Sequence, residues 1–188
     1  MESRFGIIEG VIRTRVGYAG GSKAAPTYTS LGDHTEAVQV DFDPQRISYE
    51  ELLRIFWESH APDQRTWSRQ YMNAIFFHDD HQRRLALAAK EEVEQTAGGK
   101  VRTEILPVRS FTLAEDYHQK YMLKRRQTLK AELARFFPRH AEFVDSTAVS
   151  RLNGYVGGYG TPAQLQREID LLGLSAEGKR LLRNMAPR

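Results

Sequence analysis

The hydrophobic and polar positions along the 188-residue chain follow two periodicities. Alternating or compact apolar runs predict strands at 11–18, 34–42, 70–77 and 101–107. Helical spacing predicts helices at 2–8, 48–60 and 79–98, a mostly helical stretch at 112–137, and one or two short helices after 162. Strands that alternate with helices predict an α/β fold, a two-layer plait with a ferredoxin-like sheet core and a C-terminal helical extension.

Terminal signals support two of these helices. Ser48 stands three residues before Glu51, the spacing of a capping box at a helix N-terminus. Asp79 or Asp80 is the expected N-cap of the next helix, which Gly98 should end. Between the first two strands, residues 19–33 are rich in Gly, Ser and Pro, and we expect a loop there.

The predicted helix at the start of the chain, in "MESRFGIIEGV", has no strand ahead of it. In a plait the opening strand usually lies inside the sheet, so a sheet without it should show a gap or an exposed edge. We therefore expect a plait that lacks its first strand. The expected organisation is one domain over 1–138, followed by a Gly-containing linker and short packed helices over 139–188.

Composition narrows the function. The chain contains no cysteine, which excludes disulfides and a thiol nucleophile among these residues. The net charge is +3, and the basic runs at 81–84 and 124–126 suit solvated helix faces better than a nucleic-acid site. There is no run of 18 apolar residues and no signal-peptide pattern. We expect a cytoplasmic protein that binds neither nucleic acid nor membrane.

Six motifs occur in a specific order: "RTRVGYAGG", "PTY", "GDHTEAVQVDFDP", "SYEELLRIFWESH", "QYMNAIFFH" and "AEDYHQKY". Together they resemble the A-type peptide methionine sulfoxide reductases over residues 1 to about 125. In that family a Gly-Cys-Phe-Trp-Gly motif ends the first strand and leads into the first helix. Matching Glu2 to the family's Glu places that cysteine four residues before Met1, so the chain as written is expected to be inactive.

The resemblance implies roles for three residues. Reduction of a sulfoxide needs a thiolate that becomes a sulfenic acid, a proton for the oxygen, and donors that hold this oxygen. Glu36 matches the family's general acid, and Tyr28 and Tyr71 match the two phenols that bind the sulfoxide oxygen. We expect all three in one depression beside the first helix. In a chain that also carries the family's cysteine motif, we expect Glu36 to be buried against aromatic side chains.

The motif "AEDYHQ" also matches the family, and Asp116, Tyr117 and His118 are candidate supporting residues. A hydrogen-bonded network that closes the C-terminal helix on the sheet explains them equally well. Two positions depart from the family's "DxGxQYRS", since Thr66 replaces its Asp and Met72 replaces its Arg.

Further expectations follow from the resemblance. Many members carry resolving cysteines in a Gly-rich tail, and the similar "LNGYVGGYG" has none. A sulfenic acid would therefore need an external thiol, a thioredoxin-type reductant, with no bound cofactor. The implied substrate is an oxidised protein or peptide, and the expected state is a monomer.

Two other interpretations stay open. A cysteine-free relative could bind sulfoxide or methionine side chains, or a protein partner, without turnover. A metal-dependent hydrolase could use His78 and His81 with Glu36, although two Asp before an apolar helix are ordinary N-caps.

Overall fold

The computed structural model describes residues 1–64 and 66–185. The strands are β1 (Val11–Ala19), β2 (Thr35–Phe42), β3 (Ala74–Phe77), β4 (Glu104–Pro107) and β5 (Phe111–Leu113). The helices are α1 (Glu2–Gly6), α2 (Tyr49–Trp57), α3 (Asp80–Ala97), α4 (Tyr121–Lys124), α5 (Gln127–Ala134), α6 (His140–Asp145), α7 (Thr147–Val156), α8 (Pro162–Glu168) and α9 (Ala176–Met185). A 3-10 turn spans Arg69–Tyr71. The last three residues of the predicted 139–188 segment lie outside the described part.

The predicted helix ends are confirmed at three caps. The backbone N–H of Glu51 donates to Ser48 Oγ at 3.1 Å, so Ser48 caps α2. Asp79 caps α3, with Oδ1 accepting from the N–H of Gln82 at 2.8 Å. Gly98 ends α3 in the left-handed conformation that glycine adopts without a side-chain clash. The loop expected between β1 and β2 is also present, with one isolated bridge from Thr27 to Ser30.

The mixed α/β class is confirmed, but the expected single sheet of four strands is wrong. The strands form a three-stranded sheet in the order β2-β1-β5 and a parallel pair β3-β4. Strand β5 lies where we expected a helix to begin, and it pairs with β1 from Gly17↔Leu113 to Ala19↔Phe111. A Cβ on Gly17 would lie 2.4 Å from the carbonyl oxygen of Thr112, so this close pairing needs a glycine. The gap or exposed edge that we expected where an opening strand would pair stays a prediction.

Residues 70–73, which we expected at the start of the third strand, are not part of β3. The Ser68 side chain caps the 3-10 turn by accepting from the N–H of Gln70 at 3.2 Å. Pairing with β4 starts only at Asn73, whose carbonyl accepts from Glu104 N–H at 3.0 Å. A polar cap therefore competes successfully with strand formation at this end.

The described residues divide into two compact units that interleave along the chain: residues 1–16, 38–46 and 115–188 form the first, and 17–37 and 47–114 the second. The predicted boundary at 138 does not coincide with a boundary of either unit. The first unit has a core of helix-borne side chains, among them Leu123, Leu129, Leu152 and Tyr155. The second is built around Leu53, Trp57, Ile75, Ala86 and Val101, which join α2, α3 and β3.

The Gly-rich stretch that we expected to be a linker is largely helical. It contains α7, in which every residue from Val149 to Val156 is buried. A Cβ at Gly154 would lie 2.7 Å from Ile7 Cβ and 2.8 Å from the Ser3 carbonyl oxygen. Gly154 therefore allows α7 to pack closely against the segment that contains α1, and does not provide the flexibility of a tail.

No helix among the described residues is both long and apolar enough to span a membrane.

Candidate functional site

Glu36 lies at the start of β2 and is held by a neighbour that the sequence analysis missed. The side-chain amide of Gln70 donates to Glu36 Oε1 at 2.7 Å. The Glu36 side chain is exposed, and its carboxylate meets an amide donor from the 3-10 turn. Burial of Glu36 against aromatic side chains in a chain that also carries the cysteine motif stays a prediction. The feature of the sequence that could have indicated Gln70 as part of the site was its position next to Tyr71.

Tyr71 and Tyr28 form the second part of the site. A hydrogen bond between the two phenols raises the pKa of Tyr71, and the nearby Glu36 carboxylate raises it further. Tyr71 therefore carries its proton at neutral pH and can act as a donor. Tyr28 is 39% exposed and Tyr71 is 48% exposed, so a ligand can reach this pair from solvent. The three residues expected together in one depression are thus neighbours in the second unit.

The turn that carries Gln70 and Tyr71 is fixed to the start of β2. Arg69 Nε donates to the carbonyl of Asp33 at 2.8 Å, and the Thr35 hydroxyl donates to the carbonyl of Arg69 at 2.9 Å. Both bonds lie just before Glu36 in the chain, at residues 33 and 35, next to its own bond with Gln70. The turn and the strand therefore hold Glu36 and Tyr71 in a fixed relation.

The loop that carries Tyr28 is closed at its base by His34. The N–H of Gly21 donates to His34 Nδ1 at 3.2 Å, and His34 Nε2 lies 2.9 Å from the carbonyl of Lys23. His34 is almost fully buried, so both contacts are shielded from solvent and tie residues 21 and 23 to the start of β2.

Asp33 secures the same loop from the surface. Its carboxylate accepts from the N–H and the hydroxyl of Ser22 at 2.8–2.9 Å. These donors, together with the N–H of Lys23, lower the pKa of Asp33 to about 2. The carboxylate therefore stays ionised at neutral pH, and the loop base keeps its bonds.

The predicted supporting residues Asp116, Tyr117 and His118 belong to the first unit, whereas Glu36, Tyr28 and Tyr71 belong to the second. Asp116 Oδ1 pairs with His140 Nε2 at 3.0 Å. The Tyr117 ring lies 4.2 Å from that of His118, and His118 Nε2 lies 4.0 Å from Glu115. These contacts agree with the structural network that we considered, and a role in a site stays a prediction.

The next two residues, Gln119 and Lys120, carry the main contacts of this motif. The Gln119 amide accepts from Val16 N–H at 3.0 Å and donates to the Val16 carbonyl at 2.8 Å, which extends the edge of β1 where β5 ends. Lys120 is fully buried, with Nζ 2.8 Å from Glu2 Oε1. Burial lowers the pKa of Lys120, while Glu2 acts in the opposite direction. No periodicity in the sequence signals a buried lysine.

The segment from His78 to His81 gives no support to the hydrolase interpretation. Asp79 is the N-cap of α3, and the N–H of His78 donates to Gln82 Oε1 at 3.0 Å. Within residues 1–64 and 66–185, no group of three or more His, Asp or Glu side chains is arranged to hold a metal ion.

The arrangement of a carboxyl group beside two hydrogen-bonded phenols suits a ligand with a polar oxygen that must be held and protonated. The family comparison identifies the class: residues 1–151 match the peptide methionine sulfoxide reductase family, and the chain belongs to it. Residues 140–184 match the helical domain of selenoprotein methionine sulfoxide reductase A.

Individual relatives agree with this assignment. A peptide methionine sulfoxide reductase of Drosophila melanogaster is 42% identical over 176 residues, which is 93% of this chain and 70% of that protein. Peptide methionine sulfoxide reductase A5 of Oryza sativa subsp. japonica is 42% identical over 82% of this chain and 62% of its own length. Methionine sulfoxide reductase A of Corynebacterium diphtheriae has a similar structure, with a TM-score of 0.58 and 31% identity over 66% of this chain and 69% of that one. This chain thus spans about two thirds of the relatives' length.

Proposed function

We propose that these residues form the oxygen-binding and proton-donating part of a methionine-(S)-sulfoxide reductase site. The observation that carries the proposal is the position of Glu36 next to the hydrogen-bonded pair of Tyr28 and Tyr71. Family membership supports the same reaction class. The 188 residues contain no cysteine, so a chain of these residues alone has no thiolate and is inactive.

The two phenols hold the sulfoxide oxygen. When Tyr28 and Tyr71 turn toward a bound ligand, each gives an O–H donor to the partly negative oxygen. Donors that are already fixed in place cost little reorganisation when charge develops on that oxygen. The 3-10 turn, which is bonded to the start of β2, supplies this fixation for Tyr71, and the bound oxygen takes the place of the hydrogen bond between the phenols.

Glu36 supplies the proton. In its acid form it protonates the oxygen while a nucleophile attacks the substrate sulfur, and the Gln70 amide keeps the carboxyl group in position. General-acid assistance of this type is worth about 10²–10⁴-fold in rate. Since Glu36 is exposed here, we infer that bound substrate covers it and favours the protonated form.

The nucleophile and the reductant are external to these residues. A thiolate takes the sulfoxide oxygen and becomes a sulfenic acid, and methionine is released. Two external thiols, of the thioredoxin type, then reduce the sulfenic acid to the thiol, with release of water and formation of a disulfide. Because residues 140–184 match a domain named for selenoprotein members, a selenolate is a second suitable nucleophile. The oxidised protein or peptide substrate, the monomeric state and the cytoplasmic location remain predictions.

A second candidate is a binding module that holds methionine sulfoxide without turnover. The cysteine-free composition is the observation that favours it. The two candidates share Glu36, Tyr28 and Tyr71, and they differ in whether addition of a nucleophile produces activity.

The test compares three chains: the 188 residues, the same residues preceded by a strand that ends in Gly-Cys-Phe-Trp-Gly (the cysteine-bearing chain), and a matched control with Ser in place of that Cys. Formation of methionine from methionine sulfoxide is measured with dithiothreitol as the reductant. We expect turnover from the cysteine-bearing chain alone. Turnover by the 188-residue chain would contradict the proposal. A folded cysteine-bearing chain that binds sulfoxide without reducing it would favour the binding module.

A further inference from the structure

Trp67 is an unusual surface residue in the second unit. It is 93% exposed, although tryptophan is large and largely apolar. Single exposed apolar residues are common and need no explanation by themselves. Trp67 differs because of where it is attached, four residues before Tyr71 and one residue before the Ser68 cap of the 3-10 turn.

The segment that carries Trp67 is fixed to the candidate site. Arg69, two residues further on, donates to the Asp33 carbonyl and accepts from the Thr35 hydroxyl through its own carbonyl. Gln70 donates to Glu36. The exposed Trp67 side chain therefore lies in the chain directly before a turn that is held against the start of β2.

The number of residues between Trp67 and Tyr71 limits how far apart these two residues can lie. A segment of n residues spans at most about 3.3–3.6 Å × n, so the Cα atoms of Trp67 and Tyr71 are no more than about 14 Å apart. An extended peptide covers the same distance in about four residues. Side chains up to about four positions from a sulfoxide held at Tyr71 are therefore within reach of the indole.

We propose that Trp67 binds an apolar side chain that flanks methionine sulfoxide in an extended protein segment. The inference rests on the proposed function and adds a preference for peptide-bound sulfoxide in apolar sequence. Tryptophan suits this role because it offers a large, rigid contact area and is enriched among residues that dominate binding. Oxidised methionines exposed by partial unfolding carry such apolar neighbours, since methionine is usually a core residue.

Binding to the 188-residue chain tests the inference by calorimetry, with three blocked probes: N-acetyl methionine sulfoxide amide, a peptide Ser-Phe-Ala-Met(O)-Ala-Phe-Ser, and the same peptide with Gly in place of Phe. Each sulfoxide is the (S) form. We expect the Phe peptide to bind about ten-fold more tightly than the Gly peptide. Trp67→Ala should remove that difference and leave the single-residue probe within two-fold. Trp67→Phe should retain most of the preference, and Leu87→Ala, at an exposed residue of α3, is the matched control.

A Trp57→Phe chain adds an independent readout, since Trp67 is then the sole tryptophan. Its emission should shift to shorter wavelength with the Phe peptide and not with the single-residue probe. An unchanged preference in Trp67→Ala, or equal loss for all three probes, would overturn the inference. If the single-residue probe binds the parent and is lost in Tyr71→Phe, the proposed function stands whether Trp67 contributes or not. If the parent binds none of the probes, both proposals fail.

Discussion

The amide nitrogen of Gln70 lies 2.7 Å from Oε1 of Glu36, and this hydrogen bond joins the 3-10 turn at 69–71 to the start of β2. The same turn carries Tyr71, so one short segment sets the position of the carboxyl group and one of the two phenols. Gln70 is therefore a positioning residue in the proposed reaction, since it acts through Glu36.

The first prediction concerns this bond. Gln70→Met in the cysteine-bearing chain keeps the length of the side chain and removes its donor. A hydrogen bond of this kind is worth about 1 kcal/mol, so we expect kcat to fall about five-fold with little change in KM. Steady-state kinetics measures both values. Gln82→Met, which removes the acceptor for the His78 N–H, is the control, and equal losses in both variants would show that Gln70 has no specific role.

The second prediction concerns the two phenols. The hydrogen bond with Tyr28 is the largest cause of the raised pKa of Tyr71, so Tyr28→Phe should lower that pKa toward the usual value of about 10. Tyr71 then loses its proton at a lower pH than in the parent. Carbon-13 NMR of labelled tyrosine follows the titration of each ring. Tyr121→Phe, in the first unit, should leave the titration of Tyr71 unchanged; a Tyr71 that titrates identically in Tyr28→Phe would refute the pairing.

The third prediction concerns the close packing of α7. Gly154→Ala places a Cβ 2.7 Å from Ile7 Cβ and 2.8 Å from a backbone carbonyl, so the packed segments must move apart. Overpacking of this kind costs about 1–3 kcal/mol. Thermal unfolding should show a Tm lowered by several degrees. Gly99→Ala makes the same change where a Cβ would meet no described atom within 4 Å, and it should unfold close to the parent temperature.

The sequence predicted those elements whose signals are local. Ser48 and Asp79 cap the N-termini of α2 and α3, and Gly98 ends α3, as expected. Each cap depends on a few neighbouring residues. The grouping of strands into sheets was wrong, since pairing of β5 with β1 depends on residues about 95 positions apart. The Gly-rich stretch was wrongly predicted to be a linker, because glycine at a close helix contact and glycine in a linker give the same composition.

For the candidate site too, contacts between residues that are distant in the chain could not be predicted from local signals. The resemblance placed Glu36, Tyr28 and Tyr71 together, and the structure brings them together in one unit. Gln70 was missed because a side-chain donor that meets a distant carboxylate leaves no periodic signal. The exposure of Glu36 in this structure also has no signal in the sequence, since burial at a strand start depends on what packs above it.

The central claim is that Glu36 donates the proton to the sulfoxide oxygen. Glu36→Gln keeps the shape of the side chain and offers an N–H, but it has no acidic proton. In the cysteine-bearing chain, the single-turnover rate of sulfoxide reduction should fall by about 10²–10⁴-fold from pH 6 to 9, while the Kd for methionine sulfoxide stays nearly unchanged. A Glu36→Gln chain that reduces sulfoxide at close to the parent rate across this range would show that Glu36 is a surface carboxylate and not the proton donor.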